Sequence, residues 1–302
     1  MLVGCYGPSV APGAPCDPAI GNCPSSQTCQ LDGTEFHCLL PGTAIDAAND
    51  AELDAPDAAQ TDLDGDGIFG TVDNCPAVAN PSQHDEDTDT VGDVCDPCPI
   101  SANNNDADGD GIGDDCDPRP AMVGDTLVVF EPFGQALPLG WTMTSGSWSI
   151  GNDELRVTSN TGAISNVRTN IPASSRMMAM TSVVPVQMFG SPSSAGVVLP
   201  HASMFGGGGI QCSLFQAAPG SRFLSLYDLL PEITINMRAL AWVDGAPYTL
   251  VATKTDSTYA CVDLGGVTVS GSSTTVVSNP TVGLRSLGAT ARFKWLLIVK
   301  MP

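Results

Sequence analysis

Aspartates recur at alternate positions three times between residues 62 and 117, and this spacing could hold a divalent cation. Counted from the first aspartate of each run, acids fall at positions 1, 3, 5 and 12, and position 9 is also acidic in the second and third runs. A twelve-residue calcium loop takes side-chain oxygens from these offsets and a backbone carbonyl from position 7. The predicted ligands are Asp62, Asp64, Asp66, Ile68 and Asp73 in the first loop; Asp85, Asp87, Asp89, Val91, Asp93 and Asp96 in the second; and Asp106, Asp108, Asp110, Ile112, Asp114 and Asp117 in the third.

The residues at position 6 differ between the loops. Gly67 and Gly111 stand there in the first and third loops, where the chain must turn sharply, whereas the second loop has Thr90. The first loop has Gly70 at position 9, where a water could replace the missing carboxylate. A β-branched residue resists the positive φ that such a turn often needs. We therefore expect the second loop to lose calcium first.

The charge of this segment agrees with cation binding. Sixteen acids and no lysine or arginine lie between residues 62 and 117, so the unliganded segment cannot collapse against its own repulsion. Bound Ca²⁺ would remove that repulsion and couple metal binding to folding. A merely acidic disordered tract is the alternative, but such a tract would not keep the same offsets three times.

The rest of the charge is distributed unevenly along the 302 residues. Residues 1–124 carry 24 acids and one base, Arg119, while residues 125–302 carry 9 acids and 10 bases. A separate acidic module is indicated, with calcium as its counter-charge. Such a module repels nucleic acid, so no DNA or RNA partner is expected.

The eleven cysteines indicate an oxidising compartment and fall into groups. Two pairs are expected among Cys16, Cys23, Cys29 and Cys38, whose three possible pairings the sequence leaves open. Cys212 and Cys261 lie in predicted strands and could form a disulfide. Residues 16–40 are therefore predicted to be a small disulfide-rich module, and residues 41–61, rich in Ala, Asp and Pro, a flexible linker.

The remaining cysteine, Cys5, closes the sequence Leu2-Val3-Gly4-Cys5. This sequence resembles the lipobox of bacterial lipoprotein precursors, which implies acylation of Cys5 and makes residues 1–15 an anchor region. A free or intermolecularly paired thiol is the alternative. No apolar run long enough to span a membrane occurs, so a lipid would be the only membrane attachment.

Further motifs accompany the aspartates, namely Asp73-Asn74-Cys75-Pro76, Asn80-Pro81-Ser82-Gln83, Gly92-Asp93-Val94-Cys95-Asp96 and Gly113-Asp114-Asp115-Cys116-Asp117. Together they resemble thrombospondin type 3 repeats over residues 62–118. The resemblance implies calcium bound along a chain with little helix or strand, and the disulfides Cys75–Cys95 and Cys98–Cys116. Acids around Cys95 and Cys98 would raise a thiol pKa, so this CxxC is better explained by structural disulfides than by redox or zinc chemistry.

From residue 125 to 302, short β-branched runs alternate with Gly, Ser, Asn and Pro clusters, which predicts an antiparallel β-sandwich of jelly-roll type. The strands are predicted at Thr126–Glu131, Trp148–Ile150, Glu154–Thr158, Met177–Val186, Ile210–Phe215, Phe223–Asp228, Ile233–Trp242, Tyr248–Thr253, Tyr259–Val262, Thr281–Leu287 and Ala291–Val299. The opening Val129-Phe130-Glu131-Pro132-Phe133, the aromatic positions after it and the closing Phe293–Val299 resemble concanavalin A-like or laminin G-like sandwiches. The protein is thus predicted to be mainly β, with irregular calcium-organised repeats and a small disulfide-rich module before the sandwich.

No catalytic constellation is evident in the predicted sandwich. Its 9 acids are scattered and Glu-x-Asp-x-x-Glu is absent, while His201 is its one histidine and no GxSxG accompanies it. We expect a non-enzymatic adhesion protein that is exported to the cell surface or outer membrane, or otherwise secreted, and binds a glycan or a surface protein. A glycan-active hydrolase with unidentified carboxylates and a purely structural spacer are the alternatives.

Overall fold

The structure is a computed structural model that divides the chain into two compact units, Met1–Pro81 and Ser82–Pro302. It describes residues 16, 17, 19, 23, 27–32, 35–39, 62–134, 136–159, 162–172, 174–201, 209–230, 232–274 and 281–302. The predicted anchor region 1–15 with Cys5, and the predicted linker 41–61, lie outside these residues. The boundary at Pro81 falls inside the predicted repeat segment, after its first loop.

The first unit contains a disulfide-linked hairpin. Strand β1 (Thr28–Asp32) pairs antiparallel with β2 (Glu35–Leu39). The disulfides are Cys16–Cys29 and Cys23–Cys38, which settles the pairing that the sequence left open. Few apolar residues are available here, so the two crosslinks supply much of the stability. The first aspartate loop follows and includes a 3-10 turn at Gly70–Val72.

The second unit contains the other two loops and then a β-sandwich. Its strands are β3 (Thr126–Glu131), β4 (Thr142–Ser145), β5 (Ser147–Ile150), β6 (Leu155–Thr158), β7 (Ile164–Pro172), β8 (Arg176–Met188), β9 (Ser193–His201), β10 (Ile210–Ala218), β11 (Ser221–Asp228), β12 (Ile233–Ala239), β13 (Tyr248–Thr255), β14 (Thr258–Asp263), β15 (Thr268–Ser272), β16 (Thr281–Leu287) and β17 (Ala289–Lys300).

Two antiparallel sheets form the sandwich. The seven-stranded sheet has the order β12-β11-β10-β9-β16-β7-β4, and the eight-stranded sheet has the order β15-β14-β13-β8-β17-β6-β5, with β3 paired to β17. Alternate residues of both sheets meet in one apolar core that includes Phe293, Leu296 and Leu224. The predicted mainly β fold with an antiparallel sandwich is confirmed.

Every strand predicted in this region is present, although several boundaries shift. Four further strands, β4, β7, β9 and β15, were not predicted. They are rich in Ser, Thr, Asn and Gly, so their sequences lack a strong apolar alternation. No helix in the described residues is long and apolar enough to cross a membrane.

The central strands of the eight-stranded sheet are buried on both faces. Along β17, Phe293 and Ile298 point into the core between the sheets, whereas Trp295 and Leu297 belong to a second cluster on the outer face. That second cluster also contains Cys98, Ile112 and Cys116 from the aspartate repeats. Loops two and three are therefore a layer packed on the sandwich.

Candidate metal centres

The three aspartate loops share one pattern of backbone hydrogen bonds. In the first loop the Asp62 carboxylate accepts from the amides of Gly65 at 2.7 Å and Gly67 at 3.0 Å. The amides at positions 4 and 6 make equivalent bonds to Asp85 in the second loop and to Asp106 in the third. These amides lower the pKa of Asp62 and Asp106. The Asp62 and Asp106 carboxylates are thus held ionised.

The aspartates at positions 3 and 5 are oriented in the same way. One oxygen of each accepts from the amide two residues further on, as in the bonds from Asp66 N to Asp64 and from Ile68 N to Asp66 at 3.2 and 2.8 Å. The other two loops repeat both bonds. Each aspartate therefore keeps its second oxygen directed away from these amides.

Ligand oxygens of positions 1, 3 and 5 lie within 4.8 Å of one another in every loop. The position-3 oxygens Oδ2 of Asp64, Asp87 and Asp108 are buried and have no hydrogen-bond partner among the described residues. Burial of this kind raises the pKa of Asp64 and of Asp87. Converging carboxylates with an unsatisfied buried oxygen fit a hard cation such as Ca²⁺, which takes oxygen ligands.

The position-12 aspartates each accept a backbone amide with one oxygen. Asp73 accepts from Cys75, Asp96 from Cys98 and Asp117 from Arg119, at 2.9, 2.7 and 2.6 Å. The second oxygens of Asp96 and Asp117 are buried and unpartnered in the described structure. Desolvation raises the pKa of each of these two carboxyls to about 6. A cation beside them would restore the charged form.

The carboxylate clusters include neither the position-9 acids Asp93 and Asp114 nor the position-12 acids Asp73 and Asp96; Asp117 is the one position-12 acid in a cluster. Asp93 accepts from the amide of Glu86 at 2.9 Å and lies 2.6 Å from His84 Nδ1, a contact that raises the His84 pKa. Asp114 accepts from the amide of Ala107 at 2.9 Å and from the Asn105 side chain. Each of these acids therefore holds the first residues of its loop in place by hydrogen bonds.

Asp125 is a candidate ligand that the sequence did not suggest. It is buried, and its carboxylate lies within 4.8 Å of ligand oxygens of Asp110 and Asp117. Arg119 Nε donates to both of its oxygens, at 3.1 and 3.2 Å. The Asp125 amide also donates to Asp110 at 2.7 Å. The first residues of the sandwich therefore complete the third loop.

A signal for this role was present in the spacing. Each position-5 aspartate accepts a hydrogen bond from a residue 14 or 15 places further on. The donors are the Asn80 amide to Asp66, the Asn104 side chain to Asp89 and the Asp125 amide to Asp110. Asp125 lies at the same offset from Asp110 as Asn104 from Asp89, whereas the offset of Asn80 from Asp66 corresponds to Gly124, whose amide also donates to Asp110. Asp125 falls outside the twelve-residue loop pattern because it directly precedes the first strand of the sandwich.

The second loop adopts the backbone that was expected to strain it. Thr90 has φ +83°, against +92° at Gly67 and +95° at Gly111. Thr88 at position 4 also has a positive φ, of +65°, where the other loops have Gly65 and Gly109. The second loop thus has two threonines in a conformation that disfavours side chains.

Loops two and three are attached to the eight-stranded sheet by both apolar and charged contacts. The side chain of Ile112, whose carbonyl was a predicted ligand, is buried in the outer cluster. Lys294 Nζ of β17 lies 3.0 Å from Glu86 Oε1 in the second loop. The second and third aspartate loops and the sandwich are therefore parts of one compact unit.

Disulfides brace the same unit. Cys98 is bonded to Cys116 beneath the third loop, and Cys212 of β10 is bonded to Cys261 of β14, which joins the two sheets. Cys75 and Cys95 are each disulfide-bonded. Their pairing with one another stays a prediction.

Comparison with known proteins identifies one sequence family. A family model described as Thrombospondin type 3 repeat matches residues 46–83, a stretch that contains the first loop. The resemblance to these repeats is thereby confirmed. No curated protein has significant sequence similarity to the chain.

Several solved β-sandwich structures are similar to part of the chain. The carbohydrate binding module CBM66 from Bacillus subtilis has 13% identity and a TM-score of 0.44, with 51% of this chain and 92% of that one covered. The CBM2 module of the Lactobacillus casei BL23 phage J-1 evolved Dit has 15% identity and a TM-score of 0.45, with 58% and 96% covered. The GH43 BlXynB protein from Bacillus licheniformis has 14% identity and a TM-score of 0.45, with 57% and 39% covered. The chain therefore combines a thrombospondin type 3 repeat match at its first loop with an antiparallel β-sandwich.

Proposed function

We propose that the protein is an exported, calcium-binding surface protein whose sandwich binds a ligand without catalysis. The observation that carries the calcium assignment is the threefold repetition of one carboxylate cluster with a buried, unpartnered Oδ2 at position 3. Three independent loops would not share this costly feature unless a cation compensated it. The match to thrombospondin type 3 repeats supports the same assignment.

The aspartates at positions 1, 3, 5 and 12 of each loop would hold the ions, together with the position-7 carbonyls and with Asp125 at the third loop. Bound Ca²⁺ supplies positive charge that offsets the repulsion between these carboxylates. The residues themselves orient the oxygens through backbone amides and attach loops two and three to the eight-stranded sheet. Calcium would accordingly stabilise the binding domain as well as stiffen the repeats.

The proposal of ligand binding by the sandwich is supported by its architecture and by the lining of one groove, where the described residues include no pair of carboxylates. Loops two and three cover part of the outer face of the eight-stranded sheet, whereas the outer face of the seven-stranded sheet has an open groove. Among the described residues, Glu232 is the one acid lining that groove. Glycoside hydrolysis uses two carboxylates in most families, so binding of a glycan or surface protein is favoured over hydrolysis.

Export is supported by the disulfides, and surface attachment by the sequence around Cys5. The described disulfides are stable in an oxidising compartment, as in secreted and surface proteins. A lipid on Cys5 would hold the protein at a membrane without a spanning segment. Mass spectrometry of the membrane fraction would test this: an unmodified Cys5 would reject the anchor and leave a secreted protein.

Calcium dependence is tested on the full chain by thermal unfolding with Ca²⁺ and with chelator. At about 100 times Kd, each calcium site should contribute about 2.7 kcal/mol. The variant Asp108→Asn should lose part of this increment. The matched control is Asp115→Asn, which removes the same charge from an exposed position outside the clusters. Equal unfolding temperatures in calcium and chelator would refute the proposal.

Glycan binding is tested by array screening of the same chain in calcium. Binding without turnover of the bound glycan supports a lectin-like role. Release of sugar that is lost with a single acid in 125–302 would replace it by the hydrolase alternative. Absence of any glycan or surface-protein binding would leave the structural spacer.

A further inference from the structure

The groove on the outer face of the seven-stranded sheet is lined by a row of polar residues in register. Arg285 on β16 lies opposite Asn166 on β7 and opposite Gly196 on β9. The row continues through Ser213 on β10 and Ser225 on β11. Their neighbours Leu284, Cys212 and Leu224 point into the core on the other side of the sheet. The floor of the groove is thus polar although its walls include aromatic and aliphatic residues.

Arg285 is a buried cation in this row. Only 8% of the residue is exposed, and its Nη1 donates to Gln211 Oε1 at 2.9 Å. No carboxylate of the described residues lies at ion-pair distance from it. A buried guanidinium whose counter-charge is distant is costly. Burial lowers the Arg285 pKa, and Glu232, the exposed acid of the same groove, offsets this only in part from beyond ion-pair distance. An anionic ligand would remove this cost.

Gly196 makes the position of Arg285 possible. Gln211 is on β10 and Arg285 is on β16, with β9 between them, so the side chain must cross β9. The residue of β9 opposite Arg285 is Gly196, which has no side chain to obstruct that path. A Cβ there would also lie 2.0 Å from the Cys212 carbonyl oxygen. The absence of a side chain at Gly196 therefore leaves room for the Arg285 guanidinium on the outer face of the sheet.

Further unsatisfied polar groups lie beside this guanidinium. Asn166 is 2% exposed, and its Oδ1 has no hydrogen-bond partner in the described structure. The Ser213 and Ser225 hydroxyls lie 3.1 Å apart and line the same cavity. Its volume is about 270 Å³, near the lower end of pockets that hold small molecules. The walls are formed by Ile164, Pro192, Phe215, Tyr227, Leu229 and Leu287.

We propose that this groove binds the uronic-acid ring of an acidic saccharide, with the ring carboxylate paired to Arg285. This inference rests on the proposed ligand-binding role of the sandwich. A guanidinium presents a planar fork that matches a carboxylate. Asn166 and the serines would hydrogen-bond ring hydroxyls, and Tyr227 would contact the ring face. One guanidinium balances a single negative charge, so a monoanionic carboxylate fits better than a dianionic phosphate.

The test is calorimetric titration of the full chain, in calcium, with the methyl glycosides of glucuronic and galacturonic acid and of glucose and galactose. A charge-assisted bond contributes about 1.5–3 kcal/mol, so the acidic sugar should bind at least about ten-fold more tightly than its neutral counterpart. Arg285→Gln should abolish this preference. The control Arg238→Gln, which removes a charge from exposed strand β12 outside the cavity lining, should keep it.

A second variant decides the matter if Arg285→Gln fails to fold. Glu232 lines the groove and is exposed, so Glu232→Gln removes a repulsive charge near the proposed carboxylate. Affinity for the acidic sugar should rise by about two-fold or more, while affinity for the neutral sugar stays constant. Unchanged or weaker acid binding in Glu232→Gln would refute the proposal.

Two further outcomes separate this inference from the broader role. Equal affinity for acidic and neutral sugars, or equal losses in Arg285→Gln and Arg238→Gln, would overturn the carboxylate assignment while leaving glycan binding intact. Preference for a sulfated over a uronic sugar would overturn it as well. Binding of galacturonic acid only as a free acid, and not as its glycoside or oligomer, would show a small-carboxylate site and overturn the saccharide assignment.

Discussion

The second loop should release calcium before the other two, because its backbone is strained at two threonines. Thr88 and Thr90 have φ values of +65° and +83°. A non-glycine residue in this region of backbone conformation costs about 1–2 kcal/mol. Glycine relieves this strain, but its larger conformational entropy in the unfolded state cancels about 0.5–1 kcal/mol of the gain. We therefore expect Thr90→Gly to stabilise the calcium-bound second loop by about 0.5–1 kcal/mol, which is about two- to five-fold in Kd.

The third loop offers the reverse substitution as a matched control. A Cβ added at Gly111 would meet nothing within 4 Å, so Gly111→Thr changes the backbone preference without a steric clash. By the same reckoning it should weaken the third loop by about 0.5–1 kcal/mol, or about two- to five-fold. The pair of variants thus isolates the conformational cost of threonine from its size.

Site-resolved release can be followed by amide NMR during titration with a chelator. The amides at positions 4 and 6 donate to the position-1 carboxylate in each loop, so their resonances report on that loop. Thr88 and Thr90 should shift at lower chelator concentration than Gly109 and Gly111, and Thr90→Gly should close the gap. Simultaneous release from all loops, or weaker calcium binding in Thr90→Gly, would refute the strain argument.

Three other predictions concern the same unit. Burial raises the pKa of Asp96 and Asp117 to about 6 without metal, so the native chelated chain binds more protons than the unfolded chain between pH 3.8 and 6. The stability of the chelated chain should therefore rise from pH 7 to 5, whereas its calcium affinity should fall because protons compete for the carboxylates. Urea unfolding at each pH measures this stability, and a chelated chain that becomes less stable over this range would contradict the prediction. The variant Trp295→Ala removes a side chain that is only 4% exposed where loops two and three pack on the sheet. It should lower the free energy of unfolding by about 3–5 kcal/mol and increase proteolysis of loops two and three. Cleavage at the wild-type rate would argue against their packing on the sheet. Removing the Cys212–Cys261 crosslink, which spans 49 residues, with paired alanines should lower the free energy of unfolding by about 2–4 kcal/mol, and an unchanged urea midpoint would show that it adds nothing.

The sequence was most informative where a physical constraint recurs along the chain. The aspartate offsets repeat three times, so the clusters around Asp64, Asp87 and Asp108 could be located from spacing alone. The strong apolar run of β17 likewise predicted a strand, because both of its faces are buried.

The sequence was less informative where partners lie far apart. Trp295 in β17 gives no sign that the repeats cover it, because a run buried on both faces does not identify what lies on either side. Arg285 meets Gln211 only after the sheet has brought together residues 74 positions apart. Asp93 and Asp114 stood at ligand offsets, yet their oxygens accept hydrogen bonds from the starts of their own loops. Spacing indicates which groups can converge, and packing decides which do.

The most direct test of the central claim is calorimetric titration of the chelator-stripped full chain with calcium. Each loop brings three carboxylates within 4.8 Å, so saturable binding of at least three ions should be seen. A variant with Asn at Asp64, Asp87 and Asp108 should lose this heat, while Asp115→Asn should retain it. Absence of saturable binding, or full binding in the triple variant, would contradict the assignment of these loops as calcium sites.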